Sequence, residues 1–302
     1  MKKVSYFLSI ALAASMFMAC GGKKEETKGC EHENCEHEKV TVVEFAPAEG
    51  VATEIEVAAT ETCPAYVVVE RPQVGLGDVP TGEWISLFDG KTFNGWRGYN
   101  REDVPGRWVI EDGAIRFTGS GGGEAQEQDG GDIIFAHKFK NFELSIDWKV
   151  AEGSNSGIFY LAQEIKNEYI YISSPESQVL DNANHPDALL GVDGNRKSSS
   201  LYDMIPANPQ NSKPFGEWNN TTILVYKGTV VHFQNGEKVL EYHLWTPQWT
   251  EMLQASKFSQ DKWPLAFHLL NNVGGENREG YIGLQDHGDD VWFKNIKIKL
   301  KK

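Results

Sequence analysis

From Phe142 to Val150 the chain alternates without a break: Phe142, Leu144, Ile146, Trp148 and Val150 are apolar, while Glu143, Ser145, Asp147 and Lys149 are polar. A period of two is the pattern of a half-buried β-strand, whose successive side chains point to opposite faces. Wound as a helix, the same residues would spread their apolar groups around the whole circumference, so this segment commits its region to sheet. Val230–Gln234 and Lys238–Tyr242 flank Asn235-Gly236, and Asn-Gly supplies the positive φ angles of a two-residue hairpin turn. Val291, Phe293, Ile296 and Ile298 make a last strand whose parity slips at Lys294-Asn295, as a β-bulge requires. Pro247 to Phe258 is the one stretch that reads as helix, with Thr246 as its cap and Pro247 at its first position. Many short strands, glycine-rich turns and one short helix predict an all-β sandwich or jelly roll over residues 83–302.

The N-terminal region has a different character. Met1-Lys2-Lys3 and an apolar run from Val4 to Met18, interrupted by Ser5, Ser9 and Ser15, lead to Ala19-Cys20. A basic start, a short apolar core and a small residue before the cut describe an export signal, residues 1–19. The run is shorter than the about 20 apolar residues a spanning helix needs. A cysteine just past such a core is similar to the bacterial lipoprotein box, which implies lipidation of Cys20 and a membrane-anchored envelope protein. Phe17 departs from the smaller aliphatic residue of that pattern, and cleavage near Ala11-Leu12-Ala13 would instead leave a soluble secreted chain. Residues 20–39 are charged and lack an apolar face, which suits a solvated tether. Cys30, His32, Cys35 and His37 also offer two thiols and two imidazoles to a zinc ion, at a spacing tighter than usual. Export permits disulfides, but Cys30, Cys35 and Cys63 leave one partner over.

Residues 40–82 hold β-prone stretches at Val40–Phe45, Ile55–Val57 and Tyr66–Val69, which either add strands or form a semi-ordered spacer, closed by a proline- and glycine-rich break at 72–82. The whole chain carries a formal charge of −14; without residues 1–19, two lysines fewer, 27 basic residues face 43 acidic ones, a balance of −16. Nucleic-acid binders carry a basic patch or stripe, so this balance argues against such a partner and for solubility.

Several segments of the main region carry a resemblance. Leu87-Phe88-Asp89-Gly90-Lys91, Asn94-Gly95-Trp96 and Trp108–Gly113 open it; Asn155–Phe159, Glu176–Asp181 and Gly216–Asn219 continue it; Gly283–Gly288 and Val291–Ile296 close it. In this order they resemble the 3-keto-disaccharide hydrolase family. The resemblance implies a concanavalin- or laminarinase-like jelly roll with a concave sugar-binding face. It also implies cleavage of glycosides whose sugar carries a ketone at carbon 3, and so an upstream sugar 3-oxidase that makes the substrate.

Within that frame particular residues stand out. Glu176 and Gln178 share strand parity opposite Val179, which puts the polar pair on the concave side. Gln285 and His287 share parity just before Gly288, where a strand end reaches a cleft, and an imidazole titrates near neutral pH. Glu176 and His287 are therefore the candidate acid and base, on strands that the resemblance makes neighbours. Asp181, His185 and Arg196 come from a loop rich in Asn and Asp, which reads as turn chemistry, as sugar contacts or as a divalent metal site needing six to eight oxygens. No cofactor is required by anything in the sequence. All nine tryptophans lie between Trp84 and Trp292; Trp245 and Trp249, near the helix, are the candidates for stacking on a sugar face.

A ketone at carbon 3 acidifies the hydrogen on carbon 2, so a base can start an elimination at carbon 1, with water adding afterwards. That route needs one base, an enolate stabiliser and an acid rather than two opposed carboxylates. A non-catalytic glycan-binding module and a conventional glycosidase are the alternatives.

Overall fold

The computed structural model describes residues 40–119 and 129–302. The expected signal segment, Cys20, and the expected tether with Cys30, His32, Cys35 and His37 lie outside the described residues. Strands are numbered in chain order. The larger sheet runs β1 (Val40–Val42), β4 (Trp84–Ser86), β16 (Val291–Leu300), β9 (Phe142–Val150), β12 (Asn219–Tyr226), β13 (Thr229–Gln234) and β14 (Glu237–His243), and the hairpin of β6 (Trp108–Glu111) and β7 (Ala114–Phe117) joins it beside β16. The smaller sheet runs β11 (Glu176–Leu180), β10 (Asn155–Ala162), β15 (Tyr281–Leu284), β8 (Ile133–Phe135) and β5 (Trp96–Gly98). A separate hairpin pairs β2 (Thr53–Val57) with β3 (Tyr66–Glu70).

The alternating segment is β9, and its five apolar residues are all buried. They join one cluster that draws on both sheets, including Ile223 of β12, Ile158 and Tyr160 of β10, and Val179 of β11. This is the interior of a jelly-roll sandwich, each sheet burying the apolar parity of its strands. Asn235 and Gly236 turn β13 into β14 with φ of 50° and 83°, and β16 slips register between Lys294 and Lys297, with Asn295 at φ 50°.

The helix reading needs correction. The helix α1 (Pro247–Ala255) stops before Phe258, because Ser256 is extended; Thr246 caps it, accepting from the Trp249 N–H at 3.2 Å. A second helix, α2 (Pro264–Asn271), buries Leu265, Ala266, Leu269 and Leu270, so the single-helix reading is incomplete. Eight residues are too few for the 3.6 period to declare itself over a largely apolar run. Of the two readings of residues 40–82, added strands or a spacer, strands form: β1 pairs in parallel with β4, Val68 bridges Ile165, and Phe45, Val74 and Leu76 lie in the main core. Cys63 is a buried free thiol there, raised by burial.

A polar chain crosses this interior. His232 Nδ1 lies 2.9 Å from the Ser199 carbonyl, which can only accept, so the ring proton is on Nδ1. Nε2 then accepts from the Tyr160 hydroxyl at 2.7 Å, and Tyr242 donates to Tyr160 at 2.5 Å. Burial lowers the His232 pKa to about 4. A histidine whose folded pKa lies below its unfolded value, roughly 6.5, adds stability that is complete above that value and is lost as pH falls. Acid titration is therefore expected to cost about 1.4 kcal/mol of stability per pH unit between the two pKa values through this residue. Urea unfolding at stepped pH checks it: His232→Gln should flatten that slope, and an unchanged slope would reject the assignment.

Candidate active site

The smaller sheet builds the site. Glu176 and Gln178 are on β11, and Gln285 and His287 follow β15, but these strands are not neighbours: β10 runs between them and pairs with both. The expected adjacency is corrected by one strand, and the inserted strand presents Gly157. Gly157 pairs with Gln178 on one side, and its carbonyl accepts from the Gln285 N–H at 3.0 Å on the other. Paired residues across a sheet share a face, so Gln178, Gly157 and Gln285 form one row. A Cβ on Gly157 would lie 2.5 Å from Glu176 Oε1. The missing side chain is what lets the Glu176 carboxylate lie across β10.

Asn155, Tyr171, Glu176, Gln178, Tyr202, Lys257, Gln285 and His287 line a small polar pocket that opens to solvent. Four of the residues singled out in the sequence thus converge: Glu176, Gln178, Gln285 and His287. Three side-chain atoms in the lining, Asn155 Oδ1, Gln178 Nε2 and Gln285 Oε1, are buried and have no hydrogen-bond partner among the described residues. Buried polar groups in native proteins are nearly always satisfied by protein or ordered water, so three such atoms in one pocket offer donors and acceptors to water or to a polar ligand that displaces it. Tyr202 carries a phenol raised by burial and by the nearby Glu176 charge.

The other candidates are placed around this pocket, not in it. Asp181 is buried and accepts from Gly153 N–H, Ala183 N–H and the Asn184 amide. Burial pushes its carboxyl up, but these donors together hold it below the usual range. Its role is to fix the loop. Arg196 pairs with Asp187 at 2.9 Å and Asp203 at 2.7 Å and lies over the Tyr202 ring, so it buttresses a pocket wall. Trp245 is in a separate groove, where Arg278 covers its ring at 4.2 Å. Trp249 is fully buried, stacked on Tyr242 with centroids 5.5 Å apart. Neither tryptophan lines the Glu176 pocket, because the turn from β14 into α1 directs them to α2.

His185 and His287 meet edge to face, with centroids 5.9 Å apart. With Asp289 they bring one donor atom each within 4.8 Å of one another. His185 Nδ1 accepts from the Asp187 N–H at 3.1 Å and so caps the 3-10 turn Pro186–Leu189. Its pKa is lowered, by burial first and by His287 second. Asp289 is raised by burial, which outweighs the Asn155 N–H it accepts and the pull of His287.

Sequence reasoning missed Asn155, Tyr171, Tyr202, Lys257 and Asp289. Asn155 opens the family-like segment Asn155–Phe159, so the sequence does carry a signal for it. Lys257 follows α1 in a loop without period; its ammonium lies 4.4 Å from the Tyr202 centroid and 5.4 Å from that of Tyr171, a placement that only the fold reveals.

A family model described as the 3-keto-alpha-glucoside-1,2-lyase-like domain matches residues 83–299. A 3-keto-disaccharide hydrolase of Bacteroides thetaiotaomicron is 59% identical over 309 residues, covering 99% of each chain. Among solved structures, a provisionally named glycosyl hydrolase from Parabacteroides distasonis is 30% identical with a TM-score of 0.61, over 72% of this chain and 94% of its own. A second from the same species is 26% identical with a TM-score of 0.54, over 72% and 100%.

Proposed function

The chain belongs to the 3-keto-alpha-glucoside-1,2-lyase-like family, and from that premise we propose that it cleaves 3-keto-glycosides by elimination followed by hydration. It is a hydrolase of glycosidic bonds. Glu176 takes the proton from carbon 2, and the electron pair delocalises onto the ketone oxygen as an enolate. Collapse of the enolate forms a double bond between carbons 1 and 2 and expels the carbon 1 substituent, which leaves with a proton as an alcohol. Water then adds across the double bond, its oxygen to carbon 1 and a proton to carbon 2. Lys257 brings N–H donors to the developing oxyanions, His287 stands beside it in the pocket wall, and Asn155, Gln178 and Gln285 hold sugar hydroxyls.

One observation carries this reading. Among the described residues Glu176 is the only carboxylate that lines the pocket, and it sits with three amide atoms that have no partner there. A conventional glycosidase needs two carboxyl groups flanking the scissile bond, whereas elimination beside a ketone needs one base. The substrate must come from oxidation of a glycoside at carbon 3, so a sugar 3-oxidase acts upstream. The export signal and Cys20 support a lipid-anchored place in the cell envelope.

The purified chain should cleave a 3-keto-glucoside and leave its parent glucoside intact, read by release of a chromogenic aglycone. Cleavage of both sugars would make it a conventional glycosidase. Binding of either without cleavage would make it a glycan-binding module.

A further inference from the structure

We propose that His185, His287 and Asp289 bind a divalent first-row transition cation beside the Glu176 pocket, and that the ketone and neighbouring hydroxyl oxygens of the substrate complete its coordination. One donor atom from each residue lies within 4.8 Å of the other two, close enough for one ion to draw them together. Two imidazoles and one carboxylate are the donor set of open transition-metal sites, which keep positions free for substrate. Calcium prefers six to eight oxygens, so the two nitrogens select against it.

Asn155 organises two of the three donors. Its N–H donates to Asp289 Oδ2 at 3.0 Å, and its side-chain amide lies 3.2 Å from His287 Nε2. The bond to Asp289 aims a ligand without touching the metal, as such partners do at most protein metal sites; at His287 the same role needs the Asn155 amide turned so that Oδ1 accepts the Nε2 proton, which leaves Nδ1 for the ion. Asn155 is 2% exposed and its Oδ1 has no partner among the described residues, so the residue that orients the donors also has unspent capacity in the pocket.

The donor set arrives from separate parts of the chain. His185 caps the turn after β11, while His287 and Asp289 follow β15, and β10 separates the two strands. Coordination by His185 has a definite consequence. Through Nδ1, the ion replaces the Asp187 N–H directly. Through Nε2, the ring proton moves to Nδ1 and the same bond is lost. Either way one neutral hydrogen bond is exchanged for a metal–nitrogen bond, and the Asp187 amide is released. The substrate part of this proposal rests on the keto-glycoside reading, because a ketone beside a hydroxyl is a two-oxygen chelator; binding of the ion does not depend on it.

The test uses the full chain carrying Cys30→Ser and Cys35→Ser, which removes the thiols of the tether from competition. Titration with Co²⁺ is followed by its visible absorption, and with Zn²⁺ by calorimetry. One equivalent is expected, without a sulfur charge-transfer band, and Asp289→Asn or His185→Gln should each weaken it by about 10-fold or more. Thermal unfolding of both variants confirms that they fold. No saturable binding, or binding that both folded variants retain, overturns the site. Adding a 3-keto-glucoside should shift the Co²⁺ spectrum; a spectrum unmoved while the sugar is cleaved overturns the substrate's part. Ion binding in a chain that cleaves no keto sugar would leave the metal site standing and sink the proposed function instead.

Discussion

Glu176→Gln is expected to lower turnover of a 3-keto-glucoside by about 10²- to 10⁴-fold, the usual contribution of a positioned general base. The substitution exchanges one oxygen for an NH₂ group of nearly the same size, so the side chain still fills the space over Gly157. What disappears is the capacity to accept the carbon 2 proton. The thermal unfolding midpoint should therefore move little while kcat falls. Exchange of the carbon 2 hydrogen for deuterium in heavy water gives an independent readout, because proton removal precedes bond cleavage. The variant should lose exchange and cleavage together. Retained exchange with lost cleavage would move Glu176 from base to leaving-group acid, and full activity would reject it altogether.

The parts of the fold that were legible in the sequence are those whose signal is local. Phe142–Val150 declares its faces by alternation, Asn235-Gly236 declares a hairpin by its φ preference, and the slip at Lys294-Asn295 declares a bulge. Each needs only a few neighbouring residues and the side-chain period of a strand. The second helix was not legible, since Pro264–Asn271 is short and mostly apolar. The order of strands in the smaller sheet was not legible either. Placing β10 between β11 and β15 is a long-range pairing decision, and no residue in either segment encodes it alone.

The candidate site divides in the same way. Glu176 and Gln178 are legible because strand parity opposite Val179 assigns them a face, whereas Gln285 and His287 lie past the end of β15 at Leu284, so the family resemblance rather than parity singles them out. Asp181 and Arg196 stand out in the sequence by chemical type alone, and in the structure their charges are spent on neighbours: Asp181 on loop donors, Arg196 on Asp187 and Asp203. Residue type tells what a side chain can do, while its partners decide whether that capacity is left for a ligand. Lys257 and Asp289 show the converse. Both sit in irregular loops, where no period links a residue to a face, and only folding brings them beside the pocket.

Gly157→Ala is expected to cost about 10²-fold in kcat, because the added methyl displaces the base without removing it. The new Cβ would lie 2.5 Å from Glu176 Oε1 and 2.9 Å from both Cδ and Cγ. Swinging the carboxylate alone does not relieve a clash that extends to Cγ, so the side chain must leave its rotamer or the backbone must move. β10 is held by β11 on one side and β15 on the other, and shifting it would strain both ladders. The Glu176 side chain is the softer element, and a misplacement of about 1 Å at a reacting group is worth that loss in rate. Stability should change far less, since alanine in a strand loses less conformational freedom on folding than glycine. Paired measurement of kcat and of the urea midpoint separates the two effects. A large stability loss with normal kcat per folded molecule would show that β10 yields and Glu176 does not. Equal kcat and equal stability would mean that the carboxylate does not work from its position over Gly157.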